Sequence, residues 1–166
     1  MALIRLCDTV TILLIIGETM LELYNKNYLP TIVDIYVRAF KAEPICYDWL
    51  NKEQALPYLY DITITPKFEG YVYKLNKKII GFCFAAYDDY FQGCLFDIKE
   101  FAIEPSLHNK GVGSLFLAEI EKKVRTRGCD GIILRTSKNI PAFYFYTKNG
   151  YEDVLSTACL TKIFKN

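Results

Sequence analysis

At 166 residues the chain has the length of one compact domain, and an apolar fraction of 52% is enough to bury a continuous core. Twenty Lys and Arg against 19 Asp and Glu leave a formal charge of +1, so there is no general basic field for nucleic acid or an anionic membrane surface, and a polyanion has to be met locally. Six cysteines without a CxxC pair and a single histidine, His108, offer no metal-ligand pattern; the cysteines are expected to be small hydrophobes in a reducing cytosol.

The apolar run at 10–16 is too short for a membrane span, which needs ~20 residues. Asp8 before it and Gly-Glu-Thr-Met after it do not suit a secretory signal either. Residues 1–19 are therefore expected to be an extension, as an extra strand or a loose arm. They could equally be untranslated, with Met20 as the start, because Gly17-Glu18 is what a purine-rich ribosome-binding sequence encodes in frame. Residues 20–166 form the domain proper.

Residues 21–24 alternate like a short strand. Leu29, Ile32, Val33, Tyr36, Val37 and Phe40 recur at helical spacing, with Pro30 in the first turn. Residues 52–60 predict a weaker helix, short or kinked at Pro57. Residues 70–75 and 78–87 predict a hairpin turned at Asn76-Lys77, and a third strand covers 94–103 after a turn at 88–93. Gly111 opens a helix with Leu115, Leu117, Ile120 and Val124 on one face, ended by Gly128. Residues 131–134 form a continuously apolar strand expected to be buried on both faces. Residues 139–148 predict a helix with Pro141 in its first turn, and 151–164 can supply a closing hairpin. The sum is a single mixed α/β sandwich.

The segment that carries chemistry is 101–114, Phe-Ala-Ile-Glu-Pro-Ser-Leu-His-Asn-Lys-Gly-Val-Gly-Ser. A strand breaks at Pro105 and passes through a glycine-bearing turn into an amphipathic helix. The first N–H groups of such a helix lack partners and carry its positive end, and glycines let phosphate oxygens approach. Neither a P-loop nor a GxGxxG fingerprint is present, because no Gly-Lys-Ser/Thr occurs and Phe116 stands where the third glycine would be.

His108-Asn-Lys-Gly-Val-Gly113 resembles the Q/R-x-x-G-x-G/A signature of the GNAT superfamily of N-acetyltransferases, with His108 in the place of Gln or Arg. Asn139-x-x-Ala142-x-x-Phe145-Tyr146-x-Lys148-x-Gly150-Tyr151 is similar to that family's second recurrent segment, and Lys78-Ile-Ile-Gly-Phe82 to the strand before its cofactor strand. The resemblance implies a mostly antiparallel mixed central sheet with helices on both faces, splayed open at the strand that meets acetyl-CoA, and no metal. It implies that the Ala102 and Ile103 backbone bonds the pantetheine arm. His108, Asn109, Lys110, Gly111, Val112, Gly113 and Ser114 would surround the pyrophosphate, and Asn139 would reach the arm from the far side.

Acyl transfer to an amine needs an acceptor for the amine's proton and a donor for the departing thiolate. By position in the family pattern, Glu100 is the expected base and Tyr146 the expected acid, with a backbone N–H of 102–103 meeting the developing oxyanion. His108, inside the phosphate turn, is expected to contact phosphate or to be plainly exposed, and Lys148 to be a solvated helix-end charge.

The expected acceptor is a primary amine of a small molecule. Trp49, Tyr87 and Glu100 are placed at its site, with Tyr47 and Tyr90 as further walls and Asp48, Asp88, Asp89 and Asp97 as acidic groups that could equally be turn residues. The spacing over 44–70 is similar to aminoglycoside N-acetyltransferases. A peptide or protein amine, and a non-catalytic acetyl-CoA sensor, stay open beside this. The protein is expected in the cytoplasm, without nucleic-acid or membrane partners; homodimerisation through C-terminal strands is common in such folds.

Overall fold

The structure, a computed structural model, describes residues 17–42, 45–47, 50–90 and 93–164. Contacts divide the chain into two units, Met1–Arg135 and Thr136–Asn166.

The first unit is built on five strands in the order β1-β2-β3-β4-β5: β1 (Thr19–Leu23), β2 (Phe68–Leu75), β3 (Lys78–Tyr90), β4 (Gly93–Ile103) and β5 (Gly131–Leu134). Neighbours are antiparallel until β4 and β5, which run parallel. Asn76 (φ 47°) and Lys77 (φ 69°) both take left-handed backbone, the two-residue turn whose twist suits a hairpin. The expected turn at 88–93 is shorter than the sequence suggested. β3 continues through Asp88 and Asp89 to Tyr90, with Asp88 opposite Leu95 and Asp89 opposite Cys94. Lys67 holds the Asp89 carboxylate at 2.5 Å, which offsets its charge on the strand.

Helices α1 (Leu29–Lys41) and α2 (Lys52–Thr63) cover one face. α1 buries Ile32, Val33 and Tyr36 of the stripe read from the sequence together with Ile35 and Ala39, while Leu29, Val37 and Phe40 are half-buried against the same core. They join Ala55, Leu59 and Ile62 of α2 and Val72, Phe82, Phe84 and Ala102 of the sheet in one core. Each fully buried phenylalanine there contributes roughly 1.5–3 kcal/mol. α2 is not short: it runs twelve residues with Pro57 inside it. The proline removes one intrahelical donor. That loss is offset by the buried face and by a reciprocal cap in which the Gln54 amide donates to Asn51 Oδ1 at 2.9 Å and the Asn51 amide donates to Gln54 Oε1 at 3.1 Å.

The opposite face is covered by α3 (Val112–Thr126), which buries Val112, Phe116, Leu117, Ile120 and Val124. Phe116 stacks on Tyr73 at 4.8 Å and on Phe101 at 5.0 Å. β5 departs from expectation. It is only half-buried, with Ile133 37% exposed, because it is the edge strand of the described sheet.

The cysteine expectation is corrected as well. Cys94 and Cys129 form a disulfide, their Cα atoms 4.7 Å apart, because β4 and β5 begin side by side at Leu95 and Gly131. Cys83 is a buried thiol, Cys46 and Cys159 are exposed thiols, and Cys7 lies outside the described residues.

The second unit holds α4 (Pro141–Lys148) with Gly150 just beyond it in left-handed backbone (φ 91°). No strand forms over the described part of 151–164, only a turn in which the Thr157 amide donates to the Val154 carbonyl at 3.1 Å. The expected closing hairpin is therefore absent. Alternation alone does not make a strand when the ladder bonds have no partner. Residues 1–16 of the N-terminal extension lie outside the described residues, while β1 begins at Thr19, before Met20, and the Asn76 amide donates to the Glu18 carbonyl at 3.0 Å.

Candidate active site

β4 outruns its parallel neighbour. The last β4–β5 pair is Ile98 with Leu134, where β5 ends, whereas β4 continues to Ile103. Over 99–103 the strand is laddered to β3 alone among the described residues, which leaves backbone groups on its other edge open to a ligand. Lys99 is a bulge: Phe84 faces Glu100 and Ala85 faces Ile98, with Lys99 between them. Such an insertion re-aims the residues beside it.

The exit of β4 is held closely. A Cβ on Gly81 would lie 2.9 Å from the Ala102 carbonyl oxygen and 2.4 Å from Ile103 Cδ1, so this position of Lys78-Ile-Ile-Gly-Phe82 has room only for glycine. The Glu104 amide donates to the Ile80 carbonyl at 2.8 Å, and a short 3-10 turn, Pro105–Leu107, leads to His108. Asn109 (φ 60°) and Gly111 (φ 78°) take left-handed backbone and swing the chain into α3. Gly111 caps that helix without a side-chain bond. The amides of Val112, Gly113 and Ser114 thus open the helix with no intrahelical acceptor, beside the exposed Lys110. Unpaired amides at a helix start beside a lysine are suited to an anion. His108 reaches back instead of outward, its Nε2 3.0 Å from the Ile103 carbonyl oxygen, which it serves as the N–H tautomer.

Glu100 stands half-buried beside the bulge, on the α1/α2 face with its partner Phe84. Burial pushes its carboxyl up to about 7, against a smaller opposing effect of the hydrogen bond from the Tyr58 hydroxyl to Oε1 at 2.5 Å. Tyr58 belongs to α2 and touches Tyr36 of α1, ring centroids 6.0 Å apart. Burial and the Glu100 charge raise both phenols well above their ordinary range, so each remains a donor. Farther along the strand Arg38 of α1 grips Glu104 through two nitrogens, fixing α1 to the end of β4. Tyr36, Tyr58 and Arg38 were not singled out from the sequence. No local signal marks Tyr58, since Tyr58 and Tyr60 flank the buried Leu59 alike.

The remaining expected residues are dispersed. Tyr87 is on the opposite face. It lies under Arg127 (3.9 Å), donates to Glu69 at 2.8 Å, and lines clefts of about 300 and 380 Å³ at the end of α3, away from Glu100. Asp97 is buried and ion-paired to Lys99. Trp49 and Asp48 lie outside the described residues, as does the Tyr90 side chain. Asn139 and Tyr146 belong to the second unit. There Tyr146 lies on α4, edge-on to Phe145 (5.1 Å) and Tyr151 (5.4 Å), and the Asn139 amide points at Ser137 Oγ at 3.4 Å. Lys148 lies in the last turn of α4. No cluster of metal-binding side chains occurs among the described residues, and no helix among them is long and apolar enough to cross a membrane.

The family model for acetyltransferases of the GNAT family matches residues 29–151. Over 57 residues the chain is 32% identical to the uncharacterized protein YdhI of Bacillus subtilis (strain 168), a match spanning 34% of this chain and 36% of that protein. Among solved structures, a possible acetyltransferase from Clostridium difficile 630 superimposes with a TM-score of 0.71 at 17% identity, over 88% of this chain and 99% of the other. AAC(6')-Iy, in complex with the bisubstrate analogue CoA-S-monomethyl-acetylneamine, gives a TM-score of 0.65 at 17% identity, over 89% of this chain and all of that one (100%). At these identities the likeness is one of fold. The family match takes in most of the chain, including β4, the glycine turn and α3; the protein therefore belongs to the GNAT family of acetyltransferases.

Proposed function

We propose that the protein is an N-acetyltransferase that moves the acetyl group of acetyl-CoA to a primary amine of a small molecule, by direct attack of the amine with both substrates bound. The observation that carries this reading is Glu100: a half-buried carboxylate held near neutrality, hydrogen-bonded by Tyr58, three residues before the strand end that feeds an anion cradle. A base matched to neutral pH next to a diphosphate site is what transfer to an amine requires.

The residues present suit the nucleotide thioester. The open amides of Val112, Gly113 and Ser114, with Lys110, would hold its pyrophosphate, and the free edge of 99–103 would bond its pantetheine arm. The cosubstrate supplies the activated acetyl carbonyl. Glu100 takes the proton that the amine sheds, a backbone N–H of 102–103 faces the developing negative oxygen, and Tyr146 returns a proton to the departing thiolate. His108, bonded to the Ile103 carbonyl, closes the turn without touching the amine. Tyr146 and Asn139 enter by their places in the 139–151 segment alone.

Calorimetry with acetyl-CoA and thiol-release assays across an amine panel test the reading. Glu100→Gln should lower kcat by about 10²- to 10⁴-fold and leave acetyl-CoA affinity nearly unchanged. Tyr146→Phe should likewise lower turnover and spare binding. Binding without transfer to any amine would mark an acetyl-CoA sensor, and absence of binding to folded protein removes the assignment.

A further inference from the structure

We propose that the Cys94–Cys129 disulfide is a thiol-exchange site, reached by a small dithiol through the cleft it lines, and that its state sets the affinity for acetyl-CoA. The choice of acetyl-CoA rests on the transfer reading above; the exchange chemistry does not. Both cysteines line the cleft of about 300 Å³ at the end of α3, together with Phe68 and Tyr87. Both are half-buried, so neither is sealed in the core as the thiol of Cys83 is. A disulfide at a cleft wall can be attacked while the protein is folded. The charged side chains on that wall are paired with one another, Lys67 with Asp89 and Arg127 with Glu69, so an uncharged thiol fits it better than an ionic one.

In the exchange one thiolate of the dithiol attacks a cysteine sulfur; the S–S bond breaks, a mixed disulfide forms, and the other cysteine leaves as a thiolate that takes up a proton. The second thiol of the reagent then closes its own disulfide and releases the first cysteine, so two electrons and two protons pass from reagent to protein. What this loosens belongs to the acyl-donor side. The bond ties the start of β4 to the segment between α3 and β5, so one link holds both the strand with the free edge at 99–103 and the helix that begins at open amides. Without it β5 keeps its four register pairs with β4, the Cys94 amide still donates to Asp130 Oδ2 at 2.8 Å, and the Asp130 amide still donates to the Cys94 carbonyl at 2.9 Å. α3 keeps Phe116 stacked on Tyr73 and Phe101, and the core beneath α1 and α2 contains no residue of β5. The reduced chain therefore stays folded, while the short, half-buried β5 gains freedom to shift against β4 and alter the edge that meets the pantetheine arm.

The test titrates acetyl-CoA calorimetrically into the full chain when oxidised, when reduced with dithiothreitol, and when reoxidised after its removal, with Cys7→Ser, Cys46→Ser and Cys159→Ser present throughout to exclude other exchange partners. Alkylation followed by intact mass reports the state of the bond, and circular dichroism reports the fold. Reduction should weaken acetyl-CoA binding about tenfold with the far-UV spectrum unchanged, and reoxidation should restore it. Cys94→Ser combined with Cys129→Ser should bind at the weaker level and ignore dithiothreitol. Equal affinity in the two states overturns the proposal and leaves acetyl transfer standing, as does a bond that resists dithiothreitol until the chain is denatured. Loss of the native spectrum on reduction overturns it too, because the bond is then a structural link alone. A folded, oxidised chain that binds no acetyl-CoA removes the transfer reading and this proposal together.

Discussion

Glu100 is the residue on which the pH behaviour turns. Its carboxyl, pushed up to about 7 by burial, becomes a base only as the pH rises through that region, so kcat/KM should climb with pH along a limb centred near 7. The hydrogen bond from Tyr58 lowers the value that burial raises. Tyr58→Phe should therefore move the limb to higher pH and reduce the rate a few-fold at pH 6.5. Rate profiles of both proteins between pH 5.5 and 9 check this, and coincident limbs would detach Tyr58 from the base. Stability runs the other way. The folded chain holds this proton more tightly than the unfolded one, so the contribution of Glu100 is complete below its ordinary value of 4.5 and is lost as pH rises through about 7, on the order of 3 kcal/mol at most. Glu100 is singled out by its place in the family pattern, three residues before Ile103, and nothing else in the sequence marks it. Tyr58 is not singled out, since nothing local distinguishes it from Tyr60 on the same helix. Tyr87 is expected beside Glu100, but it sits three residues after Phe84 on β3, which puts it on the other face.

Gly81 carries the element-scale prediction. A methyl group there meets the Ala102 carbonyl oxygen, which cannot turn aside as the end of Ile103 can. Gly81→Ala should cost about 1–3 kcal/mol, seen as a lower urea midpoint. It should also weaken acetyl-CoA binding by pushing β4 away at its exit. A midpoint and an affinity both unchanged would show that the two strands have slack. The elements with strong periodicity were legible: α1 and α3 through their buried stripes, the β2–β3 hairpin through Asn76-Lys77. What the sequence hid was pairing. Whether 131–134 has one neighbour or two, and whether 151–164 finds a partner, depends on distant chain segments that local alternation does not encode. α2 shows the same limit, because the capping pair Asn51 and Gln54 and the tertiary burial of Leu59 outweigh Pro57.

At the scale of the molecule the covalent link matters most. Spacing alone did not pair the cysteines, since 35 residues separate Cys94 from Cys129 and only the parallel start of β4 and β5 brings them together. Closing a loop of that length removes about 4 kcal/mol of unfolded-chain entropy in the chain-entropy account. The loop contains the bulge, Glu100, the anion cradle and all of α3. Its exposed stretch, Ser106 and 108–111, is where a protease should cut first. A single nick there would sever the peptide without releasing either piece: the cleaved protein should migrate as one species on a denaturing gel and separate into two fragments only after a thiol reductant is added.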